Sequence, residues 1–310
     1  MSRTYKVTGI NLKSKPIGEA DRILTILTKE QGLLRVIAPG ARKQKSRLSG
    51  RSALFVVNDL LIAKGKSMDK VLQAESIESF PKLALDIKKL TAGQYLVELA
   101  LQQAVIDLVQ EGLFYLLIEH LSRVEQAATP EILPCLTHGI FQLLAYAGIA
   151  PQMHQCCLSG DPVQPELDNP NWRVAFSIEA GGAVTLAALN QFEAEQQRAN
   201  VDPEDEQIIL SESSCGLVRV AERPAQIYST KRVIRPLQLG STQVTVMQQL
   251  AETLCPVIDP DRLPRGMSTD MAWLSIERLL RRCTAYHFDR SIRSAKLIDR
   301  LFGAADSSSP

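Results

Sequence analysis

The stretch Gly40–Arg51, GARKQKSRLSGR, places Arg42, Lys43, Lys45, Arg47 and Arg51 within twelve residues and contains no carboxylate. Cations at this density suit one chemistry above others, the neutralisation of a polyanionic backbone. Residues 1–70 carry 15 Lys and Arg against 5 Asp and Glu, a net of +10, while the remaining 240 residues carry −9. The overall charge of +1 therefore hides two opposed portions, and that split points to a nucleic-acid partner at the amino end. Arg35 joins the five as a candidate phosphate contact, with Lys13, Lys15, Lys64 and Lys66 as a second set. Aromatic platforms for bases are scarce in this region, where only Tyr5 and Phe55 are available.

Other chemistries find little support. No glycine-rich loop precedes a Gly-Lys-Ser/Thr and no His-Glu-x-x-His occurs, so neither a P-loop nor a zincin site is expected. The four histidines, His120, His138, His154 and His287, are scattered and read as surface or helix-face residues. A nuclease would need clustered carboxylates, yet the first 70 residues offer only Glu19, Asp21, Glu30, Asp59 and Asp69. Cys156-Cys157 lies in a proline-flanked loop with His154 nearby. Adjacent cysteines are poor partners for one tetrahedral zinc, and Cys135, Cys215, Cys255 and Cys283 fall in or beside apolar helical patterns. No cofactor is expected, and the protein is expected to be non-enzymatic.

The elements that must position these cations follow from hydrophobic period. Short β-branched runs at Val7–Leu12, Ile23–Leu27, Leu33–Ile37, Ala53–Ala63 and Val71–Ile77 predict five strands in about 80 residues, with Lys29-Glu30-Gln31-Gly32 closing a hairpin. That count predicts a small β-barrel, an oligonucleotide-binding (OB) fold or an SH3-like barrel. From Phe80-Pro81 the period becomes helical, with Val105-Ile106 included in the apolar series, and a bundle is expected over 81–148. Residues 149–200 are proline-marked, with a strand at Trp172–Ile178 and a turn at Glu179–Gly182. Helical signal returns over 201–303, at Ser211–Glu222, Val244–Leu254 and Ser268–Phe302, and 304–310 reads as a flexible tail. The fold class is thus α+β. No apolar run is long enough for a membrane helix, because Glu98, Gln102, Asp107 and Glu111 interrupt the longest candidate. The start also lacks a secretory signal, so a cytoplasmic location is expected.

The run Ile17-Gly18-Glu19-Ala20-Asp21-Arg22-Ile23-Leu24, through Leu27-Thr28-Lys29-Glu30-Gln31-Gly32 to Gly40-Ala41-Arg42-Lys43-Gln44-Lys45-Ser46-Arg47-Leu48, resembles the amino-terminal domain of the bacterial recombination mediator family RecO. Tyr286-His287-Phe288 and Ile292-Arg293-Ser294-Ala295-Lys296-Leu297 resemble that family's closing helix. The resemblance implies an OB barrel over 1–80 and a nucleoid-associated DNA repair protein of the RecF pathway. It would bind single- and double-stranded DNA, work with RecR, help load RecA on strands coated by single-strand-binding protein, and anneal complementary strands. The alternative is a repair scaffold with weak non-specific DNA binding.

Many members of that family carry a four-cysteine zinc site. Here Cys156 and Gly160 match it, while Ser159 replaces a second ligand and Ala183–Leu189 has no cysteine, so a degenerate zinc-finger-like segment is expected over 149–200. Arg223–Arg265 exceeds the family pattern and reads as an insertion. Trp273, Arg278, Arg281, Arg282, Tyr286, Arg290 and Arg293 are expected to rim a groove for the acidic, apolar-ended tail of single-strand-binding protein.

Overall fold

A computed structural model describes residues 4–199, 236–252, 255–258 and 268–303. The period-two patterning produces β1 (Thr4–Ile17), β2 (Asp21–Thr28), β3 (Gly32–Ala38), β4 (Val56–Ala63) and β5 (Asp69–Ser79), with a short α1 (Leu48–Arg51) between β3 and β4. These strands close in the order β1-β2-β3-β5-β4, all antiparallel except the β3–β5 contact. The arrangement is the OB-fold. Its interior is filled by Val7, Leu24, Ile26, Val36, Leu60, Ile62 and Val71.

One irregularity in β1 sets which of its side chains face outward. Its register on β2 slips by one residue between Asn11, opposite Ile26, and Lys13, opposite Thr25. The extra residue of this bulge, Leu12, is buried against the helices, and the slip keeps Lys13 and Lys15 on the outer surface.

The period-3.6 signal yields α2 (Ile87–Gln103), α3 (Glu111–Gln126) and α4 (Ile132–Tyr146). Asp86 caps α2, its carboxylate accepting from the Lys88 and Lys89 amides. Two strands, β6 (Arg173–Ser177) and β7 (Gly182–Val184), precede α5 (Leu186–Ala199), and β8 (Leu237–Gly240), α6 (Ser241–Gln249), α7 (Thr269–Phe288) and α8 (Ala295–Phe302) complete the order. The three later strands form a second sheet, β7-β6-β8. Part of the stretch read as an insertion is therefore structural: β8 pairs with β6, and Val244, Val246, Met247 and Leu250 enter the main core. The helix expected at Ser211–Glu222 and the tail from Ala304 lie outside the described residues.

Barrel and helices share that core. Ile10, Leu12, Leu27, Phe55, Val57 and Phe80 bury against α2, α3 and α4 side chains such as Tyr95, Leu96, Leu117 and Leu121. Six such side chains at roughly 1.5–3 kcal/mol each represent on the order of 10–15 kcal/mol of gross burial, comparable to the net stability of a whole domain. Two of the histidines expected on surfaces or helix faces sit on inward-turned faces of α3 and α4. His120 and His138 are buried with rings 5.3 Å apart and edge-on, and burial, with the charges of His138 and Arg123, lowers His120 to about 3.

Val105-Ile106 also departs from expectation. The helix stops at Gln103, where the Gln110 side chain accepts from the Val105 amide and donates to the Gln103 carbonyl, so residues 104–110 form a loop. That loop receives the hairpin tip: Leu33 N–H donates to the Val105 carbonyl at 3.0 Å. Gly32 sits there at φ 65°, and a Cβ on it would come within 2.0 Å of the Leu108 carbonyl oxygen, whereas Gly18, at φ 57°, faces open space. Gly32→Ala is expected to cost more than about 2 kcal/mol in urea unfolding, and Gly18→Ala about 1 kcal/mol. Equal losses would show that the tip does not dock on this loop.

Candidate nucleic-acid interface

Cross-strand register decides which cations share a surface. Residues paired across a sheet project to the same side, and successive even-numbered steps keep that side. Lys13 faces Thr25, which faces Arg35; Lys15 faces Ile23, which faces Ile37, which faces Lys70. Lys13, Lys15, Arg35 and Lys70 therefore surround Ile23, Thr25 and Ile37 on one outer face of β1, β2, β3 and β5. All four cations are exposed, and the three residues between them are half-buried. No carboxylate occurs in either row. The sequence pattern does not mark Lys70, because only the parallel pairing of β5 on β3 brings it there.

Two loops border the face. Asp21 accepts from the Gly40 amide at 2.7 Å, the Arg42 amide donates to the Ala20 carbonyl at 2.8 Å, and the Arg42 guanidinium donates to the Gly18 carbonyl at 2.7 Å. These bonds tie the β3–α1 loop to the β1–β2 turn and leave Arg42, Lys43 and Lys45 exposed beside it. Lys64 and Lys66 occupy the β4–β5 loop, which leads into Asp69 and Lys70. Tyr5 donates to Asp69 at 2.6 Å, and Phe55 is buried at 4% exposure, so neither is a free stacking platform. Burial and the Asp69 hydrogen bond also push the Tyr5 phenol well above its ordinary value.

Arg47 and Arg51 part company with the rest of the basic run. They line a groove of about 780 Å³ over β1, β4 and β5, together with Lys6, Glu30, Asp59 and Glu75. The run of five cations is thus divided by α1 between a mostly cationic surface, with Asp21 at its edge, and one of mixed charge.

Comparison with known proteins agrees with this architecture. The family described as "Recombination protein O N terminal" matches residues 1–80, and "Recombination protein O C terminal" matches 84–210. Similar proteins, each named DNA repair protein RecO, include one from Gloeothece citriformis (strain PCC 7424), 46% identical over 97% of this chain and 98% of its own length. Another, from Nostoc sp. (strain PCC 7120 / SAG 25.82 / UTEX 2576), is 43% identical over 98% of both. The chain belongs to the RecO family. RecO relatives cover the segment beyond residue 210 as well, which places this protein in DNA repair and recombination. Among the described residues no helix is long and apolar enough to cross a membrane.

In the segment where the RecO resemblance implies a four-cysteine site, Cys156, the one cysteine that matches it, is held by hydrogen bonds. The Cys156 sulfur accepts from the Ser159 amide at 3.5 Å, the Thr185 amide at 3.3 Å and the Thr185 hydroxyl at 3.6 Å. Among the described residues no group of three or more His, Cys, Asp or Glu converges as a metal site. Burial opposes ionisation of Cys156, yet the Ser159 and Thr185 bonds outweigh it and bring the thiol from near 9 down to about 7.

The groove expected on the carboxy-terminal helices needs correction. Trp273 is 1% exposed and belongs to the core, so it rims nothing. Arg281 donates to Glu277 at 3.0 Å and to Asp299 at 2.6 Å, and Arg278 donates to Asp299 at 2.8 Å, which locks α7 to α8. Those two guanidiniums are occupied by carboxylates of their own chain. Arg282, Tyr286, Arg290 and Arg293 remain exposed, whereas Trp273 lies in the core.

A Cys156→Ala variant tests the hydrogen-bonded thiol. A thiol depressed in the folded state stabilises it fully above the unfolded value near 9, and that contribution disappears as pH falls through 7. The stability gap between wild type and variant should therefore widen from pH 6.5 to pH 9 in urea titrations; a constant gap would show that no thiolate is held there.

Proposed function

We propose that this chain is a non-enzymatic recombination mediator of the RecF pathway. It binds single- and double-stranded DNA, promotes RecA loading on strands coated by single-strand-binding protein, works with RecR, and anneals complementary strands. The observation that carries the reading is the in-register face of Lys13, Lys15, Arg35 and Lys70, whose two cross-strand rows hold no carboxylate. Such a face can follow phosphates without reading sequence, because counterion release depends on charge and not on bases. Annealing rests on the same physics, since a surface that neutralises two strands lowers their repulsion. Arg42, Lys43, Lys45, Lys64 and Lys66 extend the track at its loops. Arg47 and Arg51 leave it, because they face the groove that holds Glu30, Asp59 and Glu75. The exposed Arg282, Tyr286, Arg290 and Arg293 remain the available contacts for an acidic tail.

Salt-dependent binding tests the track. Changing Lys13, Lys15, Arg35 and Lys70 together to Ala should flatten the logarithmic salt slope by roughly 3, at about 0.7–0.9 per contact. Changing Arg47 and Arg51 should leave the slope nearly unaltered. A reversed pattern would move the track to the other face, and absence of DNA binding at low salt would favour a scaffold.

A further inference from the structure

The proposed DNA face lacks free aromatic side chains, yet it ends at a cleft. Between β1 and α2 lies an opening of about 300 Å³, at the small end of the ~300–1,000 Å³ range of ligand sites. Its floor is apolar, made by Leu12, Phe55 and Val97, and its mouth on the barrel side carries Lys13 and Lys15. Both lysines therefore belong at once to the phosphate face and to the cleft. The far wall is α2, where Gln94 and Glu98 stand one turn apart and point to the same side. Among the described residues the Gln94 amide has no hydrogen-bond partner, and Glu98 accepts only the Arg293 amide, at 2.7 Å. An apolar slot with two cations at its entrance and an amide and a carboxylate on one wall has the polarity of a nucleotide turned inward.

We infer that the β1–α2 cleft takes one unstacked base of single-stranded DNA, with the flanking phosphates on Lys13 and Lys15. The inference rests on the DNA-binding function proposed for this chain. A carboxylate accepts from the exocyclic amino group of cytosine or adenine and is repelled by the O4 carbonyl of thymine, while an amide serves either a donor or an acceptor edge. Glu98 thus selects amino-bearing bases, and Gln94 completes the contact. Base-paired DNA cannot enter without opening, so the cleft favours single strands over duplex. The seam between barrel and helices becomes part of the binding surface.

The test compares two pyrimidines of equal size, (dC)20 and (dT)20, by fluorescence anisotropy with the full chain at pH 7.5. Wild type should bind (dC)20 about fivefold more tightly, the effect of one net hydrogen bond. Glu98→Gln should reduce that ratio towards one, whereas Gln94→Leu, which changes no charge, should weaken binding of both strands alike and leave the salt slope as it was. Equal wild-type affinity for the two strands, or a ratio that survives Glu98→Gln, overturns the cleft while leaving the phosphate track standing. Failure to bind either strand at low salt overturns the DNA reading itself.

Discussion

The apolar seam between barrel and helices is the constraint on which the rest depends. An isolated OB barrel has an outer surface available all round. Here Ile10, Leu12, Leu27, Phe55 and Val57 commit one side of it to α2, α3 and α4. The hairpin tip adds a backbone lock through Leu33 and Val105. What remains exposed is divided in two: the Lys13–Arg35–Lys70 face, and the mixed-charge groove of Arg47, Arg51, Asp59 and Glu75. Burial thereby decides which cations are free to meet a phosphate backbone.

The carboxy-terminal helices serve that same seam. Arg281, held between Glu277 and Asp299, fixes α8 against α7, and the Arg293 amide is held by Glu98 of α2, the helix that also faces the barrel. Burial raises the Glu277 carboxyl, while the two arginines hold Asp299 below its usual range despite its partial burial. Removing one partner of such a buried network leaves a charge without compensation. These arginines therefore act in assembly of the fold, and the surface they leave for partners is narrower than their number suggests.

Much of this is legible in sequence because period and turn chemistry are local. The five strands, the Lys29–Gly32 turn and the Trp172–Ile178 strand sit where the pattern puts them. The RecO resemblance is carried by residues in the barrel and the closing helix. What escapes depends on pairing between distant segments. A one-residue slip at Leu12 and a parallel contact from β5 to β3 bring Lys70 beside Lys13, Lys15 and Arg35, and no periodicity signals either. The basic run is continuous in sequence, yet α1 turns Arg47 and Arg51 away from Arg42, Lys43 and Lys45. Trp273 resembles a groove residue because an apolar stripe beside arginines reads equally as a core face. Arg223–Arg265 reads as an insertion of unknown purpose, and β8 and α6 within it complete a sheet and a core.

DNA is expected to follow the β1–β2–β3–β5 face and to avoid the groove over β1, β4 and β5. Photo-crosslinking of the full chain to single-stranded DNA, with a benzophenone side chain placed at Thr25 or at Gln73, separates the two surfaces directly. Thr25 lies at the centre of the cationic face, and Gln73 lines the opposite groove. The expected result is an efficient DNA adduct from Thr25 and background from Gln73. An adduct from Gln73 with none from Thr25 would contradict that path.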